Sequence, residues 1–286
     1  MRLFTYHAES GFAVGALAGA DRFVPLPFAS MLDLIAAGEA GLSQARAVLA
    51  AGPARDLAGI RLAAPIPQPA RNIFCLGWNY AEHSREAAAV RGKTDQELPR
   101  RPIFFTKATT SVLAPDGEVP LHSRVTSRLD YEGELGVILG RGGVDLKADQ
   151  AMDGVFGYTI INDVSARDVQ TGHGGQFFKG KSLDGTCPMG PWIVTRDEVA
   201  DPHALAITTR VNGVLKQNGN TSDMIFRIPE TLEWLSLGLT LVPGDIIATG
   251  TPAGVGFARN PPEYLQSGDR VEVAIEGLGC LANRIL

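Results

Sequence analysis

The chain has 286 residues, with 26 Lys and Arg against 31 Asp and Glu and a formal net charge of -5 at pH 7. Its length suits one large domain or a large one with a small one, and 45% hydrophobic with 20% charged residues is an ordinary globular balance. No Lys/Arg run suggests a nucleic-acid or anionic-membrane partner, no apolar run is long enough to span a bilayer, and the opening MRLFTYHAESGFAVG lacks a signal peptide's apolar region.

Cys75, Cys187 and Cys280 are odd in number and far apart, which argues against a disulfide framework or a Cys-based zinc site and fits a reducing cytoplasm. The 33 glycines and 18 prolines punctuate many short apolar runs, which predicts a β-rich α+β protein. In chain order, RLFTYHA, FAVGALA and RFVPL read as strands, followed by helix-compatible sequence across residues 29 to 51. The prolines of LAAPIPQPARNIF make a stiff extended connector, so a boundary is placed near residue 68. It separates a small N-terminal domain (1–68) from a larger one (69–286).

Beyond it, NIFCLGW reads as a strand and NYAEHSREAAAVRG as a short helix, with Asn79 as its N-cap and Gly92 past its end. PIFFTK, YEGELGVIL, VFGYTIIND, PWIVT, LAITTRVNG, DIIATG and RVEVAIEG read as further strands. PETLEWLSLG reads as a helix with Pro229 at its first position and Gly238 as its stop. Strands and helices do not alternate regularly, which argues against Rossmann or TIM architectures.

On a strand, Glu132 and Glu134 share a face with Cα atoms roughly 6.5 to 7 Å apart, close enough to converge on one cation. Alone, the pair reads first as the charged outer face of a half-solvated strand. Asp163 ends the strand in YTIINDVSARDVQ, before a turn into helix where Ser165 and Asp168 resemble a capping box. Two Glu and one Asp form an all-oxygen set suited to Mg²⁺, Mn²⁺ or Ca²⁺, with coordination positions left open for catalysis. His83 and Glu86, three apart on a helix, let a carboxylate orient an imidazole. Residues 175 to 182 match a phosphate-binding P-loop letter for letter. A P-loop needs a strand before it and a helix after it; both are missing, and Pro188 and Pro191 would break any such helix, so a nucleotide site is rejected. Lys179 and Lys181 remain as cations for an anionic substrate, and IIATGTPAGVG ends a strand in a turn able to hold a carboxylate.

Taken together, GWNYAEHSRE, DYEGELGVI, GYTIINDVSARDVQ, FKGKSLDGTCPMGP and ATGTPAGVG resemble the fumarylacetoacetate hydrolase family over nearly all of residues 70 to 286. The leading segment resembles the small first domain of bacterial members. The resemblance implies a mixed β-sandwich roll behind a small N-terminal α/β domain, a divalent metal (usually Mg²⁺) and a homodimer. It implies Glu132, Glu134 and Asp163 as metal ligands and His83 with Glu86 as a water-activating pair. It also implies Arg167 and Lys181 on the substrate's carboxylate and keto oxygens, with Gln170, Thr251 and Thr249 beside them. Lys179 departs from the Arg found in many members, and the loop QTGHGGQF and a segment around residues 84 to 100 are expected to decide the acyl group. The implied activity is hydrolysis of a C–C bond in a 2,4-diketo acid (an acylpyruvate, fumarylpyruvate or sugar-derived diketo acid) through a metal-stabilised enolate, as in aromatic or sugar-acid catabolism. The alternatives are oxaloacetate decarboxylation and hydroxymuconate or hydroxyhepta-diene-dioate isomerisation on the same scaffold.

Overall fold

A computed structural model describes residues 1–90, 92 and 97–286. Of the segment around residues 84 to 100, positions 91 and 93–96 therefore lie outside the described residues. The molecule is β-rich with mixed sheets. The large sheet runs in the order Arg55–Asp56, Arg22–Leu26, Gly11–Leu17, Arg2–Ala8, Cys187–Thr195, Val155–Asn162, Gly133–Leu139, Ile246–Ala248, Ile73–Gly77 and Ile103–Lys107, with Val112–Leu113 beside Cys187–Thr195. A second sheet orders Val214–Asn220, Ala206–Val211, Arg270–Ile275, Gly279–Ile285 and Glu118–Val119.

The Gly133–Leu139 strand lies inside the large sheet, paired antiparallel with Val155–Asn162 and with Ile246–Ala248, and every one of its residues is buried. Leu135, Val137 and Leu139 point into a core shared with Ile207, Val273, Ile275 and Leu281 of the second sheet and Leu232 of the helix Ile228–Ser236. Ile138, on the other face, joins Leu3, Val14, Phe156, Ile161, Met189 and Ile193. A strand covered on both sides has no reason to carry charge. The carboxylates at its beginning are therefore not a solvated outer face.

The N-terminal strands extend the same sheet, since Arg2 and Leu3 pair with Val194 and Ile193. The helices Met31–Ala36 and Gly38–Ala51 contribute Met31, Leu34, Ile35 and Ala45 to the same core as Ile193 and Ile246.

Three local expectations change. Asn79 does not cap the helix Ala81–Val90. Its amide donates to Phe226 O (3.0 Å) and Thr249 O (2.8 Å), and its Oδ1 accepts from Phe226 N (2.8 Å), so the helix root is tied to two distant segments instead. Ser165 and Asp168 form no capping box: Ser165 sits in the short strand Ser165–Ala166, while Asp168 accepts from Thr126 Oγ1 and Ser127 N across a loop. The strand in YEGELGVIL begins only at Gly133, because Asn162 Oδ1 accepts from Glu132 N at 3.0 Å and takes the place of a ladder partner. The strands Val214–Asn220 and Gly279–Ile285 escaped the sequence reading, since VLKQNGN and GCLANRI are broken by Gly, Asn and charged residues.

Candidate active site

The end of the Val155–Asn162 strand delivers Asp163 beside the start of Gly133–Leu139, and Asp163 N donates to Glu132 O at 2.8 Å. Carboxylate oxygens of Glu132, Glu134 and Asp163 consequently lie within 4.8 Å of one another, all three residues buried. Two oxygens on opposite sides of a bound cation are about 4.2 Å apart for Mg²⁺ and about 5 Å for Ca²⁺. The spacing and the all-oxygen chemistry thus fit a hard divalent ion. Among the described residues this is the one cluster of its kind.

Three buried cations face it. Lys181 Nζ donates to Glu132 Oε2 and Asp163 Oδ2, each at 2.7 Å. Arg167 Nη1 lies 2.7 Å from Glu132 Oε1, and its Nε donates to Asp130 Oδ2 at 2.8 Å. Lys107 Nζ donates to Asp163 Oδ1 (2.7 Å) and Val164 O (3.1 Å). Four carboxylates (Asp130, Glu132, Glu134, Asp163) thus meet three cations (Lys107, Lys181, Arg167), one negative charge in excess if all are ionised. A divalent ion would turn that into one positive charge in excess, favourable to an anionic substrate.

The two glutamates differ electrically. Burial opposes charge on Glu132, but Lys181 and Arg167 outweigh it and hold the carboxyl well below its ordinary range. Burial, then the neighbouring charges of Asp163 and Glu132, push Glu134 well above it, although Gly250 N donates to Glu134 Oε2 at 2.8 Å. Gly250 takes φ +95°, and a Cβ there would stand 2.8 Å from that of Asn79, so only glycine brings this amide to the carboxylate.

His83 is buried on the helix Ala81–Val90, with Nδ1 2.8 Å from Glu86 Oε1. A carboxylate only accepts, so Nδ1 carries the proton, and in the neutral ring the lone pair is then on Nε2. Both Glu86 oxygens accept from Gly254 N (3.1 and 3.0 Å).

His83, Glu132, Glu134, Lys181, Gln170 and Thr251 line a cavity of about 20 Å³, space for about one water molecule. Trp78, Phe105 and Phe177 also line it, with ring centroids 6.0 Å (Trp78–Phe177) and 5.5 Å (Phe105–Phe177) apart. Gln170 Oε1 accepts from Arg167 Nη1 at 3.1 Å. Thr251 Oγ1 donates to Gly133 O (2.9 Å) and accepts from Gln217 Nε2 (2.7 Å), while Thr249 Oγ1 donates to Leu135 O (2.9 Å). Both hydroxyls therefore hold the 133–135 backbone. Lys179 is exposed on the short helix Phe178–Lys181 and does not line the cavity. Cys75 and Cys187 lie buried, and burial pushes the Cys187 thiol up to about 12 and the Cys75 thiol well above its ordinary value, so neither is a thiolate near neutrality.

The sequence reading missed Lys107, Asn162 and Gln217. The one available signal was Lys107 itself, a lysine closing the apolar strand PIFFTK and hence a buried charge in need of a partner.

A family profile described as "Fumarylacetoacetate (FAA) hydrolase C-terminal" matches residues 72–286. The chain belongs to the fumarylacetoacetate hydrolase family. It is 49% identical over 230 residues to oxaloacetate tautomerase YisK of Bacillus subtilis (strain 168), covering 80% of this chain and 74% of that one. To the bovine mitochondrial oxaloacetate tautomerase FAHD2B it is 41% identical over 280 residues, 97% of this chain and 86% of the other. Among solved structures, fumarylacetoacetate hydrolase from psychrophilic Exiguobacterium antarcticum superposes with a TM-score of 0.85 at 41% identity, covering 100% of this chain and 99% of that one. The relatives thus include tautomerases as well as hydrolases, and the chain is an enzyme of this family that acts on a small molecule. No helix among the described residues is long and apolar enough to cross a membrane.

Proposed function

We propose that the protein interconverts the keto and enol forms of a small 2-oxo dicarboxylate, oxaloacetate foremost. The observation that carries this reading is one imidazole, held at Nδ1 by Glu86, lining the same cavity as Glu132 and Glu134 of the carboxylate cluster, with the cations Arg167 and Lys181 against Glu132. The tautomerase relatives at 49% and 41% identity support the choice of oxaloacetate.

His83 Nε2, freed by the Nδ1–Glu86 bond, takes a proton from the carbon next to the keto group and delivers it to the keto oxygen to give the enol, the reverse transfer restoring the ketone, a contribution of roughly 10² to 10⁴ in rate. Arg167 and Lys181 supply positive charge for the substrate's carboxylate and oxygen, and Phe105 and Phe177 exclude water. A divalent ion held by Glu132, Glu134 and Asp163, Mg²⁺ or Mn²⁺ by the hardness of its ligands, would stabilise the negative charge developing on the keto oxygen.

The test follows loss of the enol's ultraviolet absorbance, with Mg²⁺ and with EDTA, for the natural protein and Glu134→Ala. Acceleration that needs the metal and is lost in the variant is expected. No acceleration above buffer refutes the reading.

C–C hydrolysis of an acylpyruvate is the second reading, favoured by the His83–Glu86 pair and the room for one water beside it. Pyruvate release from acylpyruvates together with an inert response to enol-oxaloacetate would establish it instead. Pyruvate with CO₂ from oxaloacetate would point to decarboxylation.

A further inference from the structure

Glu86 can aim His83 only if it is itself held, and the hold comes from the Gly254 amide. Gly254 adopts φ +102°, and a Cβ there would collide with the carbonyl oxygen of Lys216. The position must be glycine, so no side chain of its own can anchor it. Its carbonyl is gripped instead: Tyr131 Oη donates to Gly254 O at 3.1 Å and Arg259 Nη2 at 3.3 Å. Arg259 Nε in turn donates to Tyr131 Oη at 3.1 Å, and its Nη2 donates to Lys216 O at 2.6 Å. Two residues on, the amides of Gly256 and Phe257 donate to Asp130 at 2.8 and 3.0 Å. The 254–257 loop therefore hangs on the consecutive residues Asp130 and Tyr131, next to the carboxylate of Glu132.

We propose that Tyr131 is a positioning residue for the His83–Glu86 pair, acting through the Gly254 backbone. The inference rests on the reading of His83 as the proton-transferring group. Tyr131 packs its ring in the apolar cluster of Leu129, Val211, Leu265 and Val271. A purely structural tyrosine would use that ring and leave its hydroxyl dispensable. Here the hydroxyl donates once and accepts once, linking the metal-set segment to the loop that docks the catalytic helix. Asp130 is the poorer probe, because it also holds Arg167.

The variant Tyr131→Phe removes the hydroxyl and keeps the ring. The expected result is a fall in kcat on enol-oxaloacetate of about fivefold, the rate equivalent of one hydrogen bond, with KM and Mg²⁺ affinity within about twofold. In parallel, nitrogen NMR of protein labelled in histidine should show His83 protonated at Nδ1 in the natural protein and as a tautomer mixture in the variant. An unchanged kcat with an unchanged His83 spectrum overturns the proposal. So does a joint fall of kcat, KM and Mg²⁺ affinity, which would mean that the strand itself had shifted. The spectrum needs no substrate: a natural protein inert on oxaloacetate whose His83 signal still responds to Tyr131→Phe refutes the proposed reaction and leaves the clamp standing.

Discussion

Replacing Lys107 with methionine keeps the length of the side chain and removes its charge. Lys107 is wholly buried, 2.7 Å from Asp163 Oδ1 and 3.1 Å from Val164 O. At 2.7 Å and an effective dielectric of about 20, the attraction amounts to about 6 kcal/mol, much of it offset by desolvation of both ions. The variant, however, leaves Asp163 buried beside Glu132 and Glu134, with Lys181 as its remaining ion-pair partner among the described residues. Removing one member of a buried pair costs about 3–5 kcal/mol. At about 2–4 °C per kcal/mol for a chain approaching this size, Tm should fall by roughly 6–20 °C. A divalent ion compensates the same carboxylates, so the loss should shrink with saturating Mg²⁺, and the ion should raise Tm more in Lys107→Met than in the natural protein. Thermal melts in EDTA and in Mg²⁺ measure both quantities. A Tm loss under about 3 °C, or the same loss in both buffers, would refute the reasoning.

Other perturbations probe the walls and supports of the site. Phe177→Ala should raise kcat/KM for a 2-oxo acid with a longer chain, relative to oxaloacetate, by about tenfold or more, since it removes the ring that meets both Trp78 and Phe105; an unchanged ratio places chain-length selection elsewhere. Asn79→Ala gives up three hydrogen bonds at the root of the helix Ala81–Val90 and should cost about 2–3 kcal/mol in urea unfolding, with less than about 1 kcal/mol counting against that role. His203 accepts from Ile228 N at 3.1 Å through Nε2, and burial lowers its pKa despite Asp201, so its neutral form belongs to the folded state. Its stabilisation is fully present above the unfolded value of about 6.5 and is lost as pH falls below it. The melting temperature of the natural protein should consequently drop relative to His203→Gln between about pH 7.5 and about pH 5.5, and a pH-independent difference would contradict this.

Most of the strands were legible along the chain because short apolar runs between Gly and Pro leave few alternatives, and the helix Ile228–Ser236 because Pro229 and Gly238 mark its ends, although it starts at Ile228 and Pro229 is its second residue rather than its first. The carboxylate cluster was legible in part: period-two spacing puts Glu132 and Glu134 on one face, but only the sheet pairing brings Asp163 beside them. Asp130, which had no role in the sequence, is wholly buried and organises both Arg167 and the 256–257 amides. Asn79 misled for a physical reason. An amide ahead of a helix suits capping, and nothing local reveals that Phe226 and Thr249, about 150 or more residues away, compete for it more effectively. Lys107 and Gln217 gave the same difficulty, since their partners are set by tertiary packing.

The pairing of Arg2–Ala8 with Cys187–Thr195 has a consequence for solubility. On that side the sheet ends in Arg55–Asp56, two charged and exposed residues, a short and blunted margin of the kind that resists joining to another sheet. A chain beginning at residue 69 would end instead at Cys187–Thr195, with the backbone around Ile193 and Val194 unpaired and the apolar side of Met189, Ile193 and Ile246 uncovered. Such a fragment would keep every carboxylate of the cavity and still be lost to self-association. The leading strands thus cap a sheet margin that lies away from the carboxylates.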